Sequence, residues 1–444
     1  MKIGFISLGC AKNRVDTEIM MGLVKSQGHS ITDRLEYADL VVINTCGFLS
    51  AAKEEAIDRI LETAQLKSKG ILQYLIAAGC MSQLHAQELL DEIPELDGVI
   101  GVSSFLEINE LIEKVTSGQR VNVVRPATDV FIEQGPRVLT TPAGLAYIKI
   151  SEGCNNLCSY CAIPLIRGNL RSRSLGEIKK EAEEFIHKGI KELVIIGQDP
   201  ASYGYDLGNG ADLTQLIYSL NSINGDYWIR LMYVHPAHLN SAMIKAIADS
   251  DHVVPYLDLP IQHVDHNILQ KMNRHHSEED LRQLLRELRQ AIPDLVLRTT
   301  VMVGFPGESE DQFQRLCDFI QEYEFDWLGA FAYSPQDNTP AARMSDQVPD
   351  EVKDSRLDRV LTLQQGITRK KNKTRIGREE KILISSRISA NLYLGRGYFQ
   401  APEVDGITMV RSHKPIRNGE FVQARMVAVR KYDMIGEFNH EPSQ

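Results

Sequence analysis

Three continuous apolar runs near the start of the 444-residue chain each end in a cysteine. They are Lys2-Ile3-Gly4-Phe5-Ile6-Ser7-Leu8-Gly9-Cys10, Leu40-Val41-Val42-Ile43-Asn44-Thr45-Cys46 and Tyr74-Leu75-Ile76-Ala77-Ala78-Gly79-Cys80. Apolar runs without alternation are the pattern of parallel strands buried on both faces. Helical patterns lie between them, at Asp16 to Gln27 and Ala51 to Ala64, and Val99-Ile100 with the helix after Ser103 adds a further unit. The expected result is an open doubly wound parallel sheet. In such sheets the loops at the C-terminal strand edge build the site. Cys10, Cys46 and Cys80 all fall there, 36 and 34 residues apart. A single cysteine in that position is ordinarily a packed core residue, whereas three in successive units point to ligands.

A second trio lies in Cys154-Asn155-Asn156-Leu157-Cys158-Ser159-Tyr160-Cys161. Three residues and then two separate its thiols, so one loop can wrap a corner of an iron–sulfur cube and ligate three of its four irons. The remaining iron is open to a substrate or cofactor. A structural zinc site wants a fourth ligand close by, and no further Cys occurs within about a hundred residues downstream. Seven cysteines, an odd number, do not suggest a disulfide framework.

After a linker over 116–139 with an edge-strand flavour, a longer alternation begins. Candidate strands run from Ala146 to Ile150, Glu192 to Ile196, Trp228 to Tyr233, Val253 to Leu259, Leu297 to Val303 and Trp327 to Ala332. Helical stretches separate most of them, including Leu175 to His187, Glu278 to Ala291 and Glu310 to Tyr323. Six such units suggest an open (βα)6 partial barrel, with the Cys154 loop after its first strand at the face where barrels place their chemistry. Cys317 shares a helix face with Phe313, Leu316 and Ile320 and reads as core. Past a helix ending near Lys371, short alternating strands with Gly, Asn and Pro turns suggest a small antiparallel β-barrel of the oligonucleotide-binding kind.

No apolar run approaches the ~20 residues of a membrane span, and the N-terminus has no signal-peptide pattern. The expectation is a cytoplasmic protein with no membrane contact. A net charge of −10 argues against a nucleic-acid footprint over the whole chain. From Lys373 onward, however, 12 Lys and Arg face 8 Asp and Glu, a net of +4 that leaves −14 on the first 372 residues. The basic run Arg369 to Arg375 is either a solvated helix end or a contact with RNA or a ribosome surface.

The Cys154 loop on a parallel βα barrel resembles the radical S-adenosylmethionine enzymes. That resemblance implies that S-adenosyl-L-methionine chelates the open iron and yields a 5′-deoxyadenosyl radical, while the barrel excludes water. It assigns Tyr160 to the adenine, Gly197 and Gln198 to the methionine amino group, Gln262 with His263 to the ribose region, and Arg298 to the methionine carboxylate.

The other trio narrows the likeness. Ser7 to Asp16, Asn44-Thr45-Cys46-Gly47-Phe48, Ala78-Gly79-Cys80 and Ile150 to Cys154 resemble the methylthiotransferases over nearly the whole chain. The family implies an N-terminal methylthiotransferase domain (1–115), a radical core (140–372) and a TRAM-like β-barrel (373–440). It also implies two [4Fe-4S] clusters, held by Cys10, Cys46 and Cys80 and by Cys154, Cys158 and Cys161, and an electron donor such as flavodoxin or ferredoxin. Within the family, Cys10-Ala11-Lys12-Asn13, Ala162 to Gly168, Gln198-Asp199, Leu257 to His263 and Ala401 to Gly406 resemble the branch that modifies the β-carbon of an aspartate in small-subunit ribosomal protein twelve. The substrate would be that protein, free or in the subunit, with ribosomal RNA contact through the C-terminal barrel, where Tyr393, Tyr398 and Phe399 are either stacking platforms or core. The competing branch modifies a tRNA adenosine beside the anticodon, and a reading of another class is a non-catalytic iron–sulfur sensor that binds RNA or the ribosome. Pro200, Leu84 and Gln336-Asp337-Asn338 depart from the family pattern.

Overall fold

The computed structural model describes residues 1–47, 50–126 and 135–438. Phe48 of the Asn44 motif and residues 127–134 of the expected linker lie outside the described residues. The chain divides into two compact units, Met1–Thr140 with Ser151–Ser172 and Ser334–Ala342, and Thr141–Ile150 with Arg173–Tyr333 and Arg343–Gln444.

The first unit carries a six-stranded parallel sheet of β1 (Lys2–Ser7), β2 (Ser30–Thr32), β3 (Leu40–Thr45), β4 (Tyr74–Gly79), β5 (Gly98–Gly101) and β6 (Val121–Val123), in the order β2-β1-β3-β4-β5-β6. The order reverses between β1 and β3, the doubly wound arrangement expected from the three runs. Every residue of β3 is buried. Leu75, Val41, Ile43 and Val99 join Ile60 and Leu89 in one apolar cluster, and full burial of each such side chain is worth about 1.5–3 kcal/mol. The short strands β2 and β6 had no apolar run to announce them, and β6 draws the start of the expected linker into this sheet. Helices α1 (Ala11–Ser26), α2 (Ser50–Ser68), α3 (Cys80–Glu92) and α4 (Ile108–Thr116) connect the strands.

The chain then supplies β7 (Leu145–Lys149) to the second unit. It returns to the first as a ribbon of β8 (Ser151–Glu152) and β9 (Arg171–Ser172), which embraces the second cysteine trio and the short helix α5 (Ile163–Arg167). The stretch expected to belong wholly to the radical core is therefore shared between units. The reason is packing: Ala162 and Ile166 are buried against Cys80 and Val102, with Leu84 beside them.

The second unit is a parallel sheet of β7, β10 (Glu192–Ile196), β11 (Trp228–Leu231), β12 (Val253–Asp258), β13 (Val296–Val303) and β14 (Trp327–Ala332), with neighbours in chain order. This is the six-unit open barrel expected from the alternation. Strands β15 (Glu379–Ser389), β16 (Leu392–Gly397), β17 (Thr408–Arg411), β18 (Phe421–Arg430) and β19 (Asp433–Glu437) close a small barrel in the order β15-β16-β17-β19-β18. It is mixed rather than antiparallel throughout, because β17 and β19 pair in parallel. Residues 398–405 of this barrel reach the strands of the sheet. The Trp327 indole donates to the Phe399 carbonyl at 2.6 Å, Arg230 to that of Tyr398 at 2.6 Å, and Tyr256 to Asp405 at 2.7 Å.

Candidate functional site

Cys10 precedes α1, Cys46 follows β3 and Cys80 opens α3, so all three stand at the C-terminal edge of the first sheet. Two glycines let their loops approach. A Cβ on Gly9, whose φ is +85°, would lie 2.8 Å from the Cys46 Cβ, and one on Gly79, whose φ is +95°, would meet Asn44 Oδ1 at 2.1 Å. Two buried asparagines fasten the loops. Asn13 Nδ2 donates to the Leu8 carbonyl at 3.2 Å and the Thr45 carbonyl at 2.9 Å, and Asn44 Nδ2 donates back to the Asn13 carbonyl at 2.8 Å. Cys10 is exposed, Cys46 partly so and Cys80 buried. Burial pushes the Cys80 thiol up to about 12; Arg167 draws it down, and Cys10 and Cys46 push it further up. The Cys80 sulfur donates to Asn13 Oδ1 at 3.3 Å, so the side chain that fastens the Cys46 loop also meets Cys80, on the helix that follows Cys10.

The second trio is shaped by its own backbone. The amide of Asn156 points to the Cys154 sulfur at 3.4 Å, the amide of Ile163 to the Cys161 sulfur at 3.5 Å, and the Cys161 amide bonds the Cys158 carbonyl at 3.1 Å. The Cys154 amide is tied to the Gly168 carbonyl at 3.1 Å, and the Ser159 carbonyl accepts from Ala341 at 2.9 Å. Amides directed at thiolate sulfurs and partly exposed thiols suit an iron–sulfur cluster, whose properties depend on hydrogen bonds to sulfur. Among the described residues, no group of three His, Cys, Asp or Glu side chains suits a single metal ion. A cube instead takes thiolates on separate irons. The donor sets fit.

Tyr160 is buried within this loop. In the second unit, Gly197 and Gln198 directly follow β10, while Asp199 turns inward. It accepts from Ser202 Oγ at 2.8 Å and the Ala201 amide at 3.2 Å, and lies 2.6 Å from His238 Nδ1. Pro200 starts the short turn that Asp199 caps. Gln262 extends β12 by one bridge to Val301 with φ +66°, its amide bonding the Thr300 carbonyl at 2.8 Å.

Other residues that the sequence singles out are buried. His263, expected near the ribose region, is fully buried; the Asp265 amide donates to its Nδ1 at 2.9 Å, so Nε2 carries the proton toward Glu308 at 3.3 Å. Arg298 is buried against Asp258 at 2.8 Å and Asp405 at 3.4 Å, a charge already engaged by carboxylates. Tyr393 and Phe399 are core of the small barrel rather than platforms, with exposures of 0% and 1%.

Cys317 is buried core, as expected, and burial raises its thiol to about 11. Asn338, in the stretch that departs from the family pattern, has φ +63°, a left-handed conformation that Asn tolerates better than most residues. The sequence reading missed Arg167 as a structural centre; its place in the Ala162 to Gly168 motif, six residues past Cys161, was the available signal.

Residues 148–320 match the Radical SAM superfamily, residues 2–101 the "Uncharacterized protein family UPF0004" and residues 376–438 the TRAM domain. The ribosomal protein uS12 methylthiotransferase RimO of Syntrophomonas wolfei subsp. wolfei is 53% identical over 438 residues, covering 99% of this chain and 100% of that protein. The protein of the same name from Heliobacterium modesticaldum is 44% identical over 445 residues, covering 100% of this chain and 96% of its own. Among solved structures, the radical S-adenosylmethionine methyltransferase TsrM from Kitasatospora setae has a TM-score of 0.58 at 13% identity, over 77% of this chain and 75% of that one. That last likeness is one of fold alone.

Proposed function

The chain belongs to the ribosomal protein uS12 methylthiotransferase family of radical S-adenosylmethionine enzymes, and from that premise we propose how its residues divide the work. The reaction is the methylthiolation of ribosomal protein uS12, which the family resemblance locates at the β-carbon of an aspartate. Cys154, Cys158 and Cys161 are assigned to the cluster that takes S-adenosylmethionine, and Cys10, Cys46 and Cys80 to a second [4Fe-4S] cluster. When bound, these groups supply a 5′-deoxyadenosyl radical and the sulfur to be transferred. The observation that carries the reading is the pair of cysteine trios lying in one compact unit, one on three loops fastened by buried asparagines and the other on a single loop shaped by its own hydrogen bonds.

On the resemblance, Tyr160, Gly197, Gln198 and Gln262 are assigned to S-adenosylmethionine. On the same ground Arg298 is assigned to the methionine carboxylate, and its ion pairs with Asp258 and Asp405 also fasten the small barrel to the sheet. An enzyme acting on a ribosomal protein works where ribosomes are, in the cytoplasm, and draws electrons from a carrier such as flavodoxin or ferredoxin. Ribosomal RNA contact falls to outward cations of the small barrel such as Lys414 and Arg417, both exposed.

Mass spectrometry of uS12 and of bulk tRNA from a strain lacking this protein tests the reading. The uS12 peptide loses its methylthio mass and tRNA keeps its own. The reverse outcome would move the protein to the tRNA branch. No 5′-deoxyadenosine from reduced protein and S-adenosylmethionine would leave a non-catalytic sensor.

A further inference from the structure

Arg167 is one of the largest fully buried side chains in the protein. Its Nη1 donates to Glu152 Oε2 at 2.8 Å, and its Nη2 to Asp16 Oδ2 at 2.9 Å and Asn13 Oδ1 at 2.7 Å. The same Nη2 stands 3.6 Å from the Cys80 sulfur. All of these residues lie within the first unit. Glu152 comes just before Cys154 and Arg167 just after Cys161, whereas Asn13 and Asp16 sit on the helix that Cys10 opens. One guanidinium thus joins the flanks of one cysteine trio to the other trio and touches a sulfur of the latter.

Burying a guanidinium is costly unless it is paired and hydrogen-bonded. Two carboxylates and an amide oxygen meet that need, and they would meet it equally well away from the cysteines. The position beside Cys80 is therefore what needs a reason. An arginine stays protonated at any working pH, so it holds a fixed positive charge there. Reduction of an iron–sulfur cluster adds one negative charge, and local charge and hydrogen bonds to sulfur set how readily that electron is accepted.

We propose that Arg167 is a positioning residue that pins the two cysteine loops in one register and, through its charge against the Cys80 sulfur, makes the second cluster easier to reduce. The proposal rests on the assignment of Cys10, Cys46 and Cys80 to that cluster. Asp16, bound to the same Nη2, tempers the charge that reaches the sulfur. The two side chains thus act with opposite sign.

The test uses the full chain with Cys154, Cys158 and Cys161 changed to Ala, reconstituted anaerobically with iron and sulfide. Dithionite supplies one electron per cluster in a redox titration followed by electron paramagnetic resonance. Arg167→Gln is expected to lower the midpoint by at least the equivalent of a tenfold change in the reduced-to-oxidised ratio, about 59 mV for one electron. Arg167→Lys should recover much of that loss, and Asp16→Asn should raise the midpoint above that of the parent. An unchanged midpoint in Arg167→Gln at full iron content overturns the proposal. If Arg167→Gln does not fold, Asp16→Asn decides: an upward shift supports the proposal and no shift overturns it. A parent protein without about four irons would instead refute the cluster assignment itself, before Arg167 is touched.

Discussion

Arg298 and Asp258, on the adjacent strands β13 and β12, form a buried ion pair at 2.8 Å that also reaches Asp405 of the small barrel at 3.4 Å. Burial alone would lower the arginine pKa, but Asp258, Tyr256 and Asp405 together raise it. Removing one partner of a buried pair leaves the others uncompensated, at a cost of about 3–5 kcal/mol. Arg298→Ala is expected to lose stability of that order in urea unfolding, and Arg298→Lys to lose less. Weakened S-adenosylmethionine binding at unchanged stability would instead place its main contribution in holding the cofactor.

The two trios should load independently. Anaerobic reconstitution is expected to give about eight irons per chain, from two four-iron clusters. Replacing Cys10, Cys46 and Cys80 with Ala should leave about four, with 5′-deoxyadenosine still formed from S-adenosylmethionine but no methylthiolated uS12. About four irons in the unmodified protein would count against the second cluster.

Gly79→Ala should act on one cluster alone. Its φ is +95°, and the new Cβ would approach Asn44 Oδ1 at 2.1 Å and the Thr45 carbonyl at 2.6 Å. A left-handed backbone costs a side chain of order 1–3 kcal/mol, and here the backbone before Cys46 must shift as well. Iron is expected to fall to about half, with the thermal midpoint of the barrel unit little changed. Full iron loading would show that the Cys46 and Cys80 loops tolerate separation.

Stability should fall on the acid side of neutrality. Burial, followed by the charge of Arg274, holds His235 down to about 2 and His276 down to about 3. The unfolded chain takes up protons below about pH 6.5 while the fold does not, so stability is flat above that and declines as pH falls. Buried His276 contributes at most about 1.4 kcal/mol per pH unit. Asp199, held to about 2, adds a loss only below about pH 4. Urea unfolding at pH 7.5 and 5.5 should show the difference, and His276→Gln should reduce it. Equal stabilities at the two pH values would mean that these histidines are protonated in the fold.

Local signals were legible wherever a few neighbouring residues decide the outcome. The helices Glu278–Ala291 and Glu310–Tyr323 lie where their periodicity places them, because each opens on a capping box, Ser277 with Asp280 and Ser309 with Gln312. The buried strands β3, β10 and β12 announce themselves as apolar runs. Strand β19 did not: its five residues include a glycine, follow β18 after a tight turn, and pair in parallel with β17. Nothing within those five residues specifies a parallel partner.

The spacing of six cysteines and the alternation of strands and helices were enough to determine the fold class, and the family resemblance of the motifs around them implied the reaction. Which arginines hold charge against which carboxylates was decided only in three dimensions. Arg298 and Arg167 look alike as sequence, each a single cation near a functional motif. Arg167 meets Asp16 across 151 residues of chain and Arg298 meets Asp258 across 40. Charge pairing depends on distance and burial, and neither exists until the chain has folded.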